Sequence, residues 1–199
     1  MKNNRALYFW VFVVLFFAGL WLAQLALKQQ GSSLLPGNGG DFTLQSAQGP
    51  VSLSDFRGKV VALYFGYMSC PDICPTSLWS LSSAMRQLSP EQVEQVQGVF
   101  ISLDPERDSP AAMSLFVKGF FESFIGLTDR QEVIDRVARQ YSVVYQKVAL
   151  KESAMGYVLD HSSVIYLIDK GGVLRYFSPH NASPEEIKVE LLNLLNEAS

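Results

Sequence analysis

The chain has 199 residues, with 19 acidic and 16 basic side chains, a formal charge of −3, two cysteines and two histidines. All 19 acidic residues lie at or beyond Asp41 with only 13 of the basic ones, so that portion carries a formal charge of −6. This excludes the basic surface a nucleic-acid binder needs and fits simple solubility or a cationic partner.

The first feature in chain order is Ala6–Leu27, 22 residues whose only strongly polar member is Gln24. As a helix it would span about 33 Å, enough for a hydrocarbon core of about 30 Å. It is longer than a secretory h-region and lacks a clean cleavage site, so an uncleaved anchor is expected. Lys2 and Arg5 precede it and only Lys28 closely follows it. The positive-inside rule then puts the N-terminus in the cytoplasm and the remainder outside, which in a bacterium is the periplasm, on a single-pass inner-membrane anchor. The expected organisation is an anchor over residues 1–28, a Gly/Ser/Pro-rich tether over 29–40 and a folded domain over 41–199.

Within that domain, Phe42–Leu44 and Val51–Leu53 flank Gln48-Gly49-Pro50 and predict a hairpin. Val60–Phe65 is an unbroken apolar run, expected as a strand buried on both faces. It leads into Phe65-Gly66-Tyr67-Met68-Ser69-Cys70-Pro71-Asp72-Ile73-Cys74-Pro75, which holds both cysteines. The prolines bias each preceding cysteine towards extended backbone, so a helix is expected to open with Pro75 at its first position. Cys74 would then be the N-cap, where the helix dipole favours thiolate, and Cys70 would fold back towards it. A plain structural disulfide here would contribute only about 2 kcal/mol, because the loop it closes is so short. A buried strand, a two-thiol loop and a helix form the thioredoxin-type arrangement for redox or metal chemistry.

Further on, Leu78, Leu81, Met85 and Leu88 recur at helical spacing and mark Met85 as core. A second buried strand is expected over Val99–Leu103, then a turn at Asp104–Asp108 and a helix from Ser109-Pro110 to about Phe121. Thr128-x-x-Gln131 reads as a capping box before a helix with Ile134, Val137 and Tyr141 on one face. A strand over Val143–Val148 follows, then Val164–Ile168 and Val173–Phe177 around the hairpin signal Asp169–Gly172. Ser183-Pro184-Glu185-Glu186 opens the last helix, with Ile187, Leu191 and Leu194 inward. The order predicts a mixed central α/β sheet with helices on both faces. Of the two histidines, His161 stands before the strand Val164–Ile168. Taken alone it reads as a capped or surface residue, and His180 has no partner in sequence.

The combination of Phe65-Gly66-Tyr67, Cys70-Pro71-Asp72-Ile73-Cys74-Pro75, the turn Asp104–Pro110, Gly126-Leu127-Thr128 and Asp160-His161-Ser162 resembles the Sco/SenC family of copper-binding cytochrome oxidase assembly proteins. The matches run in order from about Phe42 to the C-terminal helix. The resemblance implies a thioredoxin-like fold with one copper held by Cys70, Cys74 and His161. One departure is Met68-Ser69 where the family often has Thr-His, at positions that are not family ligands.

Two thiolates and an imidazole form a soft set that suits Cu(I) and also holds Cu(II), whereas structural zinc usually takes four protein ligands. Asp160 is a candidate partner for His161, and Asp104–Asp108 reads equally as a plain turn or a docking element. The function implied is a metallochaperone serving the CuA-bearing subunit of cytochrome c oxidase, with other periplasmic copper chaperones as further partners. The alternatives are a thiol–disulfide oxidoreductase, with Cys70 or Cys74 attacking, and a copper or redox sensor. The loop has one residue more than the Cys-x-x-Cys of thioredoxin-like reductases. Moreover, Leu159–Val164, where a thioredoxin has its cis-proline, has no proline and offers His161.

Overall fold

The computed structural model describes residues 39–150 and 153–197. The expected anchor Ala6–Leu27 and nearly all of the tether lie outside them. No helix among the described residues is long and apolar enough to cross a membrane.

The chain opens with an antiparallel hairpin, β1 (Thr43–Ser46) and β2 (Gly49–Ser52), as the turn residues predict. β3 (Val60–Gly66) has every residue buried, and it is the middle strand of a five-stranded sheet. α1 (Ile73–Arg86) follows the cysteine loop and buries Leu78, Leu81 and Met85, as their spacing requires. A single turn, α2 (Pro90–Val93), leads to β4 (Val96–Ser102), which is parallel to β3 and equally buried. Two such strands need crossover helices, which α1 and then α3 (Pro110–Lys118) supply before β5 (Ile125–Leu127). α4 (Gln131–Gln140) then leads to a separate hairpin, β6 (Tyr145–Ala149) with β7 (Tyr157–His161). β8 (Val164–Ile168) and β9 (Leu174–Pro179) return antiparallel to the main sheet, giving the order β5-β4-β3-β8-β9. α5 (Pro184–Asn196) closes the fold with the capping box at Ser183 formed as expected.

Alternation along β3 divides the core. Tyr64 stacks on Phe100 and Gly66 meets Cys74 on the side of α1, which packs against α5. Phe65 points the other way, into a cluster with Tyr141 and Tyr166, both centred 5.6 Å from it. The result is the expected mixed sheet between helices, a thioredoxin-like architecture.

Three local expectations are corrected. Thr128 caps nothing: its backbone exchanges hydrogen bonds with Gln45, so α4 starts at Gln131 with Arg130 as N-cap, and the Gln131 side chain binds Asp135 and Tyr145. The third helix ends at Lys118 rather than near Phe121. His161 stands before β8 as expected, but it is the last residue of a strand that was not expected, β7.

Candidate metal centre

The cysteine loop leaves the buried end of β3. Cys70 N–H donates to the Tyr67 carbonyl at 3.2 Å, and Met68 N–H donates to Asp108 Oδ2 at 2.9 Å. The helix then begins two residues earlier than expected, at Ile73, with Asp72 as N-cap and Cys74 inside the first turn. Pro75 is tolerated because first-turn amides have no partner within the helix. The liberated Cys74 N–H donates to Cys70 Sγ at 3.4 Å. The positive end of α1 therefore acts on Cys70, and Cys74 is not the N-cap thiolate.

β7 delivers His161 to the same place. Cys74 Sγ and His161 Nε2 are 3.4 Å apart, and the two sulfurs and the imidazole nitrogen all lie within 4.8 Å of one another. The other ring nitrogen, Nδ1, is 3.1 Å from the Ser162 carbonyl oxygen. A carbonyl only accepts, so Nδ1 carries a proton and Nε2 is the ring nitrogen turned towards the sulfurs. The Ser162 carbonyl thus takes the place considered for Asp160, whose side chain is exposed. Tyr64 and Tyr67 hold the imidazole edge-on, with ring centres 6.4 and 5.9 Å away. Metal–sulfur bonds of about 2.3 Å place trigonal donors about 4 Å apart, so the three atoms need contract by less than about 1 Å around one soft ion.

Both cysteines are free thiols here, Cys74 fully buried and Cys70 partly exposed. The hydrogen bond from Cys74 onto its sulfur, helped by His161 and the Asp72 and Cys74 amides, holds Cys70 well below the usual thiol range against the effect of partial burial. That same bond, with burial and the charge on Cys70, pushes Cys74 up. Burial and then the neighbouring Cys70 raise Tyr67 to about 12. Of the two, Cys70 is thus the sulfur that ionises more readily and Cys74 the one that keeps its proton longer, the reverse of the order expected from an N-cap Cys74.

The turn Asp104–Asp108 is more than a helix lead-in. Both aspartates are buried. Asp108 Oδ2 accepts from Met68 N–H and from Ser102 Oγ at 2.6 Å, tying the cysteine loop to the end of β4. Burial raises the Asp108 pKa. Sequence gave charged residues at a turn; their burial became visible only once β4 and the cysteine loop were in place. His180 lies apart from the centre, its backbone N–H bonded to Ser163. Beside the donors opens a pocket of about 460 Å³, walled by Tyr67, Cys70, Ile73, Val158, Leu159 and His161.

Fold and site together define a thioredoxin-like domain whose dithiol is completed by an imidazole instead of a proline. Within that class the chain belongs to the SCO1/SenC family, whose model matches residues 32–196. A SCO2-like protein of Rickettsia conorii is 40% identical over 157 residues, covering 78% of this chain and 76% of that one. Apo Sco1 from Thermus thermophilus is 36% identical with a TM-score of 0.73, covering 83% of this chain and 95% of that one. The copper-bound ScoI of Bradyrhizobium japonicum is 35% identical with a TM-score of 0.71, covering 79% of this chain and 99% of that one.

Proposed function

We propose that this chain is a membrane-anchored copper metallochaperone that binds one copper through Cys70, Cys74 and His161 and hands it to the CuA centre of cytochrome c oxidase. The observation that carries this is the convergence of two sulfurs and one imidazole nitrogen within 4.8 Å. Copper bound in a relative of the same fold supports the choice of metal. Cys70 would ionise first, Cys74 would give up its proton on loading, and His161 would bind through Nε2. Each of these is an ordinary requirement of a soft site, and affinity should therefore rise with pH. The apolar stretch Ala6–Leu27 supports tethering at the bacterial inner membrane with the domain in the periplasm, where other copper chaperones would load it.

One observation favours a second reading, thiol–disulfide exchange with target cysteines. Cys70 is partly exposed with its pKa lowered, next to a buried Cys74 whose pKa is raised, the asymmetry an attacking pair requires. His161→Ala in the full-length protein separates the two. A chaperone loses copper affinity, Cu(II) more than Cu(I), and loses oxidase assembly in cells, while the Cys70–Cys74 disulfide still forms and is reduced. Unchanged copper affinity and unchanged assembly in this variant would return the exchange role to first place.

A further inference from the structure

His161 does not stand on the central sheet. It ends β7, which pairs only with β6 in a two-stranded sheet of its own. Among the described residues, then, no strand pairing links the imidazole's strand to β3, which leads into the cysteine loop. A different element spans that gap, and Arg107 is its centre. Arg107 Nε donates to the buried Asp104 carboxylate, and Nη1 donates to the Tyr157 carbonyl at 3.1 Å and the Met155 carbonyl at 3.2 Å. The guanidinium lies 3.8 Å over the Tyr157 ring and 5.8 Å from the ring of Tyr67. Tyr157 also donates its hydroxyl to Asp104 Oδ1 at 2.7 Å. Tyr157 opens β7, and Tyr67 both precedes the cysteine loop and touches the His161 ring.

We infer that Arg107 is a positioning residue for His161: gripping Asp104, the Tyr157 carbonyl and two tyrosine rings at once, it fixes β7 so that the imidazole stays within reach of both sulfurs. Arg107 touches none of the three donor atoms. Its rigid planar fork makes these contacts simultaneously, and a lysine ammonium at the same position would keep the charge but could not reproduce them. Asp108, at the other end of the same turn, holds Met68, so a single turn sets both halves of the centre. The copper part of the test below rests on the metallochaperone reading; the spectroscopic part does not.

Full-length protein labelled with ¹³C-histidine gives only two ring spin systems, His161 and His180, because the chain has two histidines. In the reduced, metal-free protein the His161 signals carry ring-current shifts from Tyr64 and Tyr67. Arg107→Lys is expected to move them towards those of an unstructured histidine while leaving His180 in place. Cu(II) affinity is expected to fall roughly 10- to 100-fold, the usual effect of losing a group that orients a ligand. In a His161→Ala background the same substitution is expected to have no further effect on affinity. Unmoved His161 signals in a folded Arg107→Lys protein would overturn the inference, as would an equal affinity loss in both backgrounds. Should Arg107→Lys fail to fold, Arg107→Gln, which removes the charge and the planar fork, is judged by the same two measurements. A wild-type protein that bound no copper would sink the metallochaperone reading, and the histidine spectra would still decide the role of Arg107.

Discussion

Gly66 offers the sharpest test of how tightly the centre is built. A methyl group there would sit 2.8 Å from Cys74 Sγ, 3.0 Å from the Phe100 ring and 3.1 Å from the Tyr64 ring. Comfortable separations are about 3.5–4.0 Å, so the sulfur or the strand must give by at least about 0.7 Å. None of the three neighbours is exposed, and none can swing into solvent. Gly66→Ala should therefore cost about 1–3 kcal/mol of stability, the usual range for overpacking. At about 2–4 °C per kcal/mol for a chain of this size, the melting temperature should fall by roughly 2–12 °C. Metal bonds tolerate only about 0.2 Å, so a displaced Cys74 should also lower copper affinity by about tenfold or more. The control is Gly98→Ala in the neighbouring strand, where the added carbon meets the Phe124 ring, remote from the sulfurs. It should lower the melting temperature and leave copper affinity unchanged. Circular dichroism melts and anaerobic copper titrations of the reduced full-length proteins provide both readouts. A Gly66→Ala protein with wild-type melting temperature and wild-type affinity would refute the reasoning.

Cys70→Ser and Cys74→Ser should each abolish tight Cu(I) binding, seen as loss of the one-to-one equivalence point in an anaerobic competition titration; a retained end-point in either would contradict the dithiol centre. Ser183→Ala removes the N-cap bond to Glu186 N–H at 3.2 Å and should cost about 1 kcal/mol, or about 2–4 °C in melting temperature, with copper binding untouched. Glu190 is half-buried with one oxygen unpaired, and burial raises its pKa. A carboxyl raised in the folded state favours folding most below its unfolded pKa, and that contribution is lost as pH climbs through the raised value. Glu190→Gln should therefore be more stable than wild type at pH 7, and the difference should vanish below about pH 4, measured by melts across pH.

Much of the fold was legible because burial leaves a pattern. Val60–Phe65 is apolar throughout and is the central strand; Leu78, Leu81 and Met85 recur at helical spacing and face the core; Asp169–Gly172 and Ser183–Glu186 carry turn and cap chemistry that forms as written. The three residues of the candidate site were named from the family resemblance, and the fold brings them together. β7 was missed because it buries only Leu159 fully and pairs only with another exposed strand, so no alternation marks it. The Thr128 box failed because a tertiary contact, the bridge to Gln45, claimed its backbone first. The start of α1 shifted because a proline is acceptable anywhere in the first turn, which leaves its residue-level position open. The role of Arg107 was not legible: apart from Asp104, three residues back, its partners lie 48 and 50 residues away, and only the packed hairpin brings them near.

The unequal burial of the two sulfurs gives the centre a front and a back. Cys74 is sealed behind Tyr64, Gly66 and the first turn of α1, whereas Cys70 and the His161 edge border the open pocket. An incoming donor from another protein can approach only from that open side, so it meets Cys70 and His161 before it can reach Cys74. Transfer across such a mouth would proceed as an ordered exchange of bonds, with Cys74 the last to let go, and the ion need never be free in water. The same one-way access shields Cys74 and leaves Cys70 as the more exposed of the two sulfurs.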